Sequence, residues 1–296
     1  MTGTVITLVQ LNALDDQAFV SSLEGLYEKA PWVAAGAASS RPFATVGDLH
    51  DGLMRAVRQQ PREALVAFLN AHPVLGGRDA RAGTLTADST REQASLGLTA
   101  LADDEAWLLE DLNARYLAKF GFPFLICARR HTRPSILRAL QERLGHGLEQ
   151  ELTNALAEVE HIGRLRLVDR VTGAGVPKVA GRLSTHVLDT HAGRPAENLK
   201  IELFECGHSR PVRLVETVTN AEGRTDQPMF AGGPLRMGTY EMVFHMGDYY
   251  RLRAVITTLH PFLDEVCVRF GVNEPEGHYH VPLVVTPWSY ATYRGG

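Results

Sequence analysis

At 296 residues the chain is about twice the usual size of one folding unit, so two compact domains are expected. A composition that is 45% hydrophobic and 22% charged fills sizeable cores and excludes wholesale disorder, and no run approaches the roughly 18 uninterrupted apolar residues of a membrane helix. A net charge of -4 with no block dense in Lys and Arg argues against a nucleic-acid partner. The opening MTGTVITLVQLNALDD has no basic flank before its short apolar run, so no export signal is read there and the cytoplasm is the expected compartment. Cys127, Cys206 and Cys267 are odd in number, far apart and free of CxxC spacing; they are expected to be reduced core residues.

The first half has helical period. Asp15 suits the N-cap of a run carrying Phe19, Leu23, Leu26 and Tyr27, predicted to end at Pro31. The Ala-rich AAGAASS over 34–40 is predicted as a loop. From Ala102 to Phe120, the residues Trp107, Leu108, Leu112 and Tyr116 fall on one face, and Gly121 with Pro123 ends the helix. A run from Ser135 carries Leu137, Leu140, Leu144, Leu148, Leu152, Leu156 and Val159, with a break at Gly145 and Gly147. Residues 1–170 are therefore predicted to be an all-α helical bundle.

TGAGVPKVAG (172–181) is a run of loop formers, and the linker is placed at 171–181. Beyond it the period becomes two. Ile201 and Leu203 oppose Lys200 and Glu202, and in HYHVPLVV the residues His278, His280 and Val284 face away from Tyr279, Val281, Leu283 and Val285. With turns at TNAEGR and AGGP, residues 182–296 are predicted to be an all-β unit, a small antiparallel sandwich or barrel.

Chemistry in the first half centres on three segments. His72-Pro73 closes the apolar run EALVAFL, which places an imidazole at a helix-to-loop junction. In STREQASLGL, Ser89 or Thr90 can cap a helix with Glu92 and Gln93 in its first turn; this fits a capping box as readily as a site. NARYLAKFGFPFLICARR (113–130) passes from a helix into an extended apolar segment, either a buried connector or a backbone surface for a planar amide-rich ligand.

Taken together, His72-Pro73-Val74-Leu75-Gly76, Glu92-Gln93 with Gly97-Leu98, Lys119 to Phe124 with Ile126-Cys127-Ala128-Arg129, and Arg143-Leu144 resemble the ureidoimidazoline decarboxylase family over most of residues 8–167. The resemblance implies 2-oxo-4-hydroxy-4-carboxy-5-ureidoimidazoline, an intermediate of urate breakdown, as substrate. It implies His72 as proton donor and Glu92 as its partner carboxylate, holding the His tautomer or binding the substrate hydroxyl. Pro73, Ser89, Gln93 and the backbone of Phe124, Leu125, Ile126, Cys127 and Ala128 would form the cradle, with Arg143 against an anionic or carbonyl group. Where the family has Asn three residues after this Arg, the chain has His146. Loss of CO2 beside an unsaturated ring leaves electron density that the ring accepts, so no cofactor is expected, and an imidazole can protonate one face.

In the second half, LSTHVLDT sets Ser184, His186 and Leu188 on one face, Arg224 follows a turn in NAEGRTD, and TYRGG ends the sequence. Singly, each reads as a solvated strand residue. His278 and His280 lack a third ligand of recognisable spacing, so no metal is expected. As a set, Leu183 to Thr190, Gly223-Arg224-Thr225, His278 to Leu283 and Tyr290 to Gly295 resemble 5-hydroxyisourate hydrolase, the transthyretin-like enzyme. The resemblance implies water attack on a ring carbonyl, with His186 or His280 as general base and Arg224 stabilising the oxyanion. Tyr293, Arg294 and Gly295 would complete a pocket between subunits of a tetramer. The family commonly ends in Ser, where this chain has Gly296.

The hydrolase's product is the decarboxylase's substrate, so the pair implies a two-step, cofactor-free route to (S)-allantoin. The expected assembly is a homo-oligomer acting on small molecules, with no nucleic-acid or membrane partner. The alternatives are a small-ligand carrier of the transthyretin type and a metal-dependent cyclic amidase built on His278 and His280.

Overall fold

The structure, a computed structural model, describes residues 5–77, 87–94, 96, 103–207, 209–256 and 258–295. It divides into two compact units, one built on residues up to Arg129 and Ile136–Lys178, the other on Arg130–Ser135 and the chain from Val179 onward.

The first half carries helices α1 (Leu8–Asn12), α2 (Asp16–Ser22), α3 (Pro31–Ala38), α4 (Val46–Arg58), α5 (Arg62–Asn70), α6 (Ala87–Ala94), α7 (Asp103–Phe120), α8 (Arg133–Arg143) and α9 (Leu148–Val168). It is helical but not wholly α, because β1 (Ile6–Thr7) pairs in parallel with β2 (Val171–Thr172). Asp15 does cap α2, its Oδ1 accepting from Ala18 N at 2.8 Å. The helix stops at Ser22, short of the predicted Pro31, and the following turns include Gly25 and Lys29 at φ 79 and 50°. Pro31 instead opens α3 at its first turn, where a missing N–H costs no helical bond. That helix occupies most of the Ala-rich stretch predicted as a loop, and its Ala34, Ala37 and Ala38 are buried.

The buried stripe of α7 is Leu109, Leu112, Tyr116 and Phe120; Trp107, predicted on it, is 70% exposed. Gly121 (φ 77°) ends the helix in a left-handed turn that a Cβ would disfavour. The chain then runs extended and buried from Phe122 to Cys127. The break at Gly145 and Gly147 separates α8 from α9, with Gly147 at the N-cap.

Gly163 of α9 meets the Tyr27 ring, which would lie 2.6 Å from a Cβ built there. Gly163→Ala gains about 1 kcal/mol of helix propensity but overpacks a buried ring, so a net loss of about 1–3 kcal/mol is expected. Thermal unfolding followed by far-ultraviolet circular dichroism checks this, and an unchanged or raised midpoint would refute it.

The second half holds β3 (Arg182–Asp189), β4 (Arg194–Pro195), β5 (Lys200–Cys206), β6 (Val212–Val218), β7 (Gly238–His245), α10 (Met246–Arg251), β8 (Glu265–Val272), β9 (His278–Val285) and β10 (Tyr290–Thr292). Two four-stranded sheets, ordered β10-β9-β3-β4 and β6-β5-β7-β8, enclose a core that includes Val187, Ile201, Phe244 and Leu283. The sandwich is not purely antiparallel: β3 and β9 run parallel in register from Arg182↔His278 to Asp189↔Val285. Burial alternates along β3 and, except at the buried Pro282, along β9, which turns Ser184, His186 and His280 to the other face from the core. Cys127 and Cys206 are buried, whereas Cys267 is exposed on β8 and is not a core residue. Among the described residues no helix is long and apolar enough to cross a membrane.

Candidate active sites

In the helical unit, α5 ends at Asn70 and delivers His72 to a cleft. His72, Pro73, Ser89, Glu92, Gln93, Phe124, Leu125, Ile126 and Ala128 all line it. Ser89, Glu92 and Gln93 reach the cleft because they share one face of α6 at spacings of three and four. Ser89 lies inside this helix, and its hydroxyl donates to Glu28, so it is not the backbone cap that the capping-box reading predicts.

The tautomer of His72 is fixed by the chain itself. Nδ1 lies 3.1 Å from the Phe68 carbonyl oxygen, which only accepts, so Nδ1 carries the proton. Among the described residues Nε2 has no hydrogen-bond partner and is left as a buried lone pair. Burial lowers the pKa of the ring to about 4, which makes it neutral at pH 7. Such a ring must accept a proton before it donates one. Glu92 is engaged by another residue, its carboxylate accepting from Arg166 Nε at 3.0 Å and Nη2 at 2.7 Å.

Arg166 is the residue that sequence reasoning missed. Its side chain is 4% exposed, lines the cleft, and also reaches Ser89 Oγ at 3.2 Å and Glu28 at 3.4 Å. Burial opposes its charge, but Glu92 and Glu28 outweigh burial and hold its pKa above the ordinary value. The signal was present, since Arg166 falls on the stripe of Val159 and Ile162, where a charge must be paired.

Two predicted residues lie outside the lining. Arg143 donates to the Leu125 carbonyl at 2.9 Å and to Glu151 at 2.6 Å, so its donors face protein rather than the cleft. Cys127 is buried, its N–H donating to Glu158 at 2.8 Å. His146 pairs with Glu151 at 2.9 Å, so the departure from Asn also sits apart from the lining residues. Gly97 and Leu98 lie outside the described residues.

In the β unit the parallel register sets Ser184 directly beside His280, and Ser184 Oγ lies 3.0 Å from both His280 Nδ1 and His278 Nε2. His186 and Arg224 form an isolated antiparallel bridge. Burial lowers the pKa of His186, and the Arg224 cation lowers it further. Burial, then Arg224, His278 and the facing His186, lower that of His280. The three predicted catalytic residues therefore lie within one electrostatic neighbourhood. Gly295 joins them by a two-way backbone bridge to His280, with N···O distances of 3.1 and 2.9 Å. A Cβ at 295 would stand 2.9 Å from the imidazole, so only glycine lets the chain lie on that ring.

The rest of the terminal motif is not gathered in. Tyr293 is 64% exposed, while Arg294 stacks on Tyr279 at 4.5 Å and pairs with Glu274 at 3.1 Å. Gly296 lies outside the described residues. Among those residues no group of three or more His, Cys, Asp or Glu is placed to hold a metal ion.

Residues 12–168 match the family described as OHCU decarboxylase, and residues 183–295 match the HIUase/Transthyretin family. The chain is 46% identical over 125 residues to the 5-hydroxyisourate hydrolase of Pseudomonas aeruginosa, covering 42% of this chain and 99% of that protein. It is 42% identical over 162 residues to the 2-oxo-4-hydroxy-4-carboxy-5-ureidoimidazoline decarboxylase of Mus musculus, covering 55% of this chain and 91% of that protein. A crystal structure of (S)-allantoin synthase is 32% identical, covers 98% of this chain and all of its own, and has a TM-score of 0.54.

Proposed function

The chain belongs to the OHCU decarboxylase family over residues 12–168 and to the HIUase/transthyretin family over residues 183–295, and from this we propose how its two sites divide one conversion. The protein is a bifunctional enzyme of urate catabolism. Its β unit hydrolyses 5-hydroxyisourate, and its helical unit decarboxylates the product to (S)-allantoin.

In the β unit, His186 or His280 takes a proton from water as its oxygen attacks a ring carbonyl, and Arg224 stabilises the oxyanion that forms. Both histidines are depressed in pKa and so are free to accept at neutral pH. Arg224 is exposed in the single chain. A second copy packed over this face, in a homo-oligomer, would dry the site and strengthen its charge on the oxyanion.

In the helical unit, Arg166 and its carboxylate partners anchor the polar groups of the substrate in the cleft. When CO2 leaves, its bonding pair moves into the ring, and the ring nitrogen that receives the displaced charge takes up one proton from solvent. His72 Nε2 takes the hydroxyl proton as the new carbonyl forms, then returns a proton to the neighbouring carbon from one side. Delivery from a fixed ring is what makes one enantiomer.

The observation that carries this reading is the buried Nε2 of a neutral His72, without a hydrogen-bond partner among the described residues, beside a buried arginine. Generating 5-hydroxyisourate from urate with an oxidase, then following ultraviolet absorbance and the circular dichroism of allantoin, tests it. Fast loss of the first intermediate with fast appearance of one enantiomer is expected. Fast loss followed by slow, racemic allantoin would refute the decarboxylase assignment, and no acceleration of the first step would refute the hydrolase assignment.

A further inference from the structure

A buried polar cluster adjoins the wall of the decarboxylase cleft, and no step described above uses it. The Arg143 guanidinium lies 4.6 Å over the Phe124 ring, donates through Nη1 to the Leu125 carbonyl at 2.9 Å and through Nε to Glu151 at 2.6 Å. The Glu151 side chain is 0% exposed and also accepts from the Tyr116 hydroxyl and from His146 Nδ1 at 2.9 Å. Burial alone would raise the Glu151 pKa, but the hydrogen bonds from Arg143 and Tyr116 outweigh it and keep the carboxyl ionised. Taking both ions out of water is costly, and well-packed apolar side chains would join these helices at least as firmly. What apolar packing cannot do is hold a particular carbonyl and a particular ring in place. Phe124 and Leu125, the two groups that Arg143 holds, both line the cleft.

We propose that Arg143 and Glu151 are positioning residues for the decarboxylation, fixing the Phe124–Leu125 wall against which the substrate ring lies, with His146 orienting Glu151 from the solvent side. The proposal rests on the decarboxylase reading of the cleft. It reassigns Arg143 from a substrate contact to a residue that acts through the wall. His146 is 23% exposed, so it can be altered with little effect on the core.

The test measures kcat and KM for decarboxylation, with circular dichroism and thermal unfolding, in the full chain carrying Arg143→Lys, His146→Ala or His146→Asn. Arg143→Lys keeps the charge but loses the planar fork that reaches Glu151 and Leu125 together. In folded protein it is expected to lower kcat/KM by about 10- to 100-fold, mostly through KM, because a wall displaced by about 1 Å misplaces the substrate. His146→Ala is expected to raise KM by a few fold, and His146→Asn, which restores a donor to Glu151, to return it to the parent value. A merely structural role would instead lower kcat in step with the folded fraction and leave KM unchanged; that result overturns the proposal. If Arg143→Lys does not fold, Tyr116→Phe and His146→Ala decide, and parent KM in both overturns it. A parent chain that does not decarboxylate defeats the reading of the cleft itself, whereas an active parent with indifferent variants defeats only the positioning role.

Discussion

His72→Gln is expected to slow decarboxylation by about 10²- to 10⁴-fold, the usual contribution of one positioned acid-base group, while 5-hydroxyisourate still disappears at the parent rate. The protonation state makes the prediction sharper. A histidine near its ordinary pKa would impose an acid limb on kcat/KM near pH 6.5, but burial has moved this ring to about 4. Decarboxylation should therefore persist through pH 6 and 5 and fail only as pH nears 4. The same shift carries a stability cost with a definite sign. Because the folded pKa lies below the unfolded one, the native state is unpenalised above about pH 6.5. As pH falls from there toward 4, the unfolded chain binds a proton that the native site refuses. The helical unit should lose on the order of 3 kcal/mol across that window, with no further loss from this group below it. Urea unfolding at pH 7 and pH 4.5, with and without His72→Gln, isolates the contribution. An acid limb at pH 6.5, or a pH dependence that the substitution leaves unchanged, would sink the idea.

How much of this was legible in the sequence depends on which physical signal carried it. Period two along LSTHVLDT and HYHVPLVV set the inward and outward faces correctly, because the pleat leaves no other choice. The parallel pairing that puts Ser184 beside His280 is a long-range register, which neither segment encodes by itself. In the helical half, composition misled where small residues pack tightly. The Ala-rich stretch looks like a loop, yet its lack of bulk is what lets α3 approach α4, where a Cβ on Gly36 would lie 3.0 Å from that of Ala56. The cleft residues near HP, EQ and FPF were readable as motifs, whereas Arg166 lies in a helix more than 70 residues from Glu92 and reaches it only through the tertiary fold. Arg143 shows the opposite failure: its motif was readable, but its partners, Glu151 and the Leu125 carbonyl, were not.

Arg224→Ala should slow turnover in the hydrolase site by about 10²- to 10³-fold, the loss expected when one oxyanion donor is removed. Among the described residues no hydrogen bond or ion pair engages the Arg224 guanidinium, so the substitution breaks no internal contact and the thermal midpoint should hardly move. Its charge has a second effect. After burial, Arg224 is the next largest cause lowering both His186 and His280, so its removal lets both rings keep a proton to higher pH. A protonated ring cannot act as base; the acid limb of the hydrolase profile therefore moves upward, and the deficit is larger at pH 6 than at pH 8. Arg224→Lys separates the two contributions. Lysine keeps the positive charge, and with it the depressed histidines, but presents no planar fork to the oxyanion. It should keep the parent pH profile with slower turnover, whereas Arg224→Ala changes both. Parallel profiles for Arg224→Ala and the parent would show that the arginine does not set the histidines' charge state, and undiminished turnover would remove it from the oxyanion site.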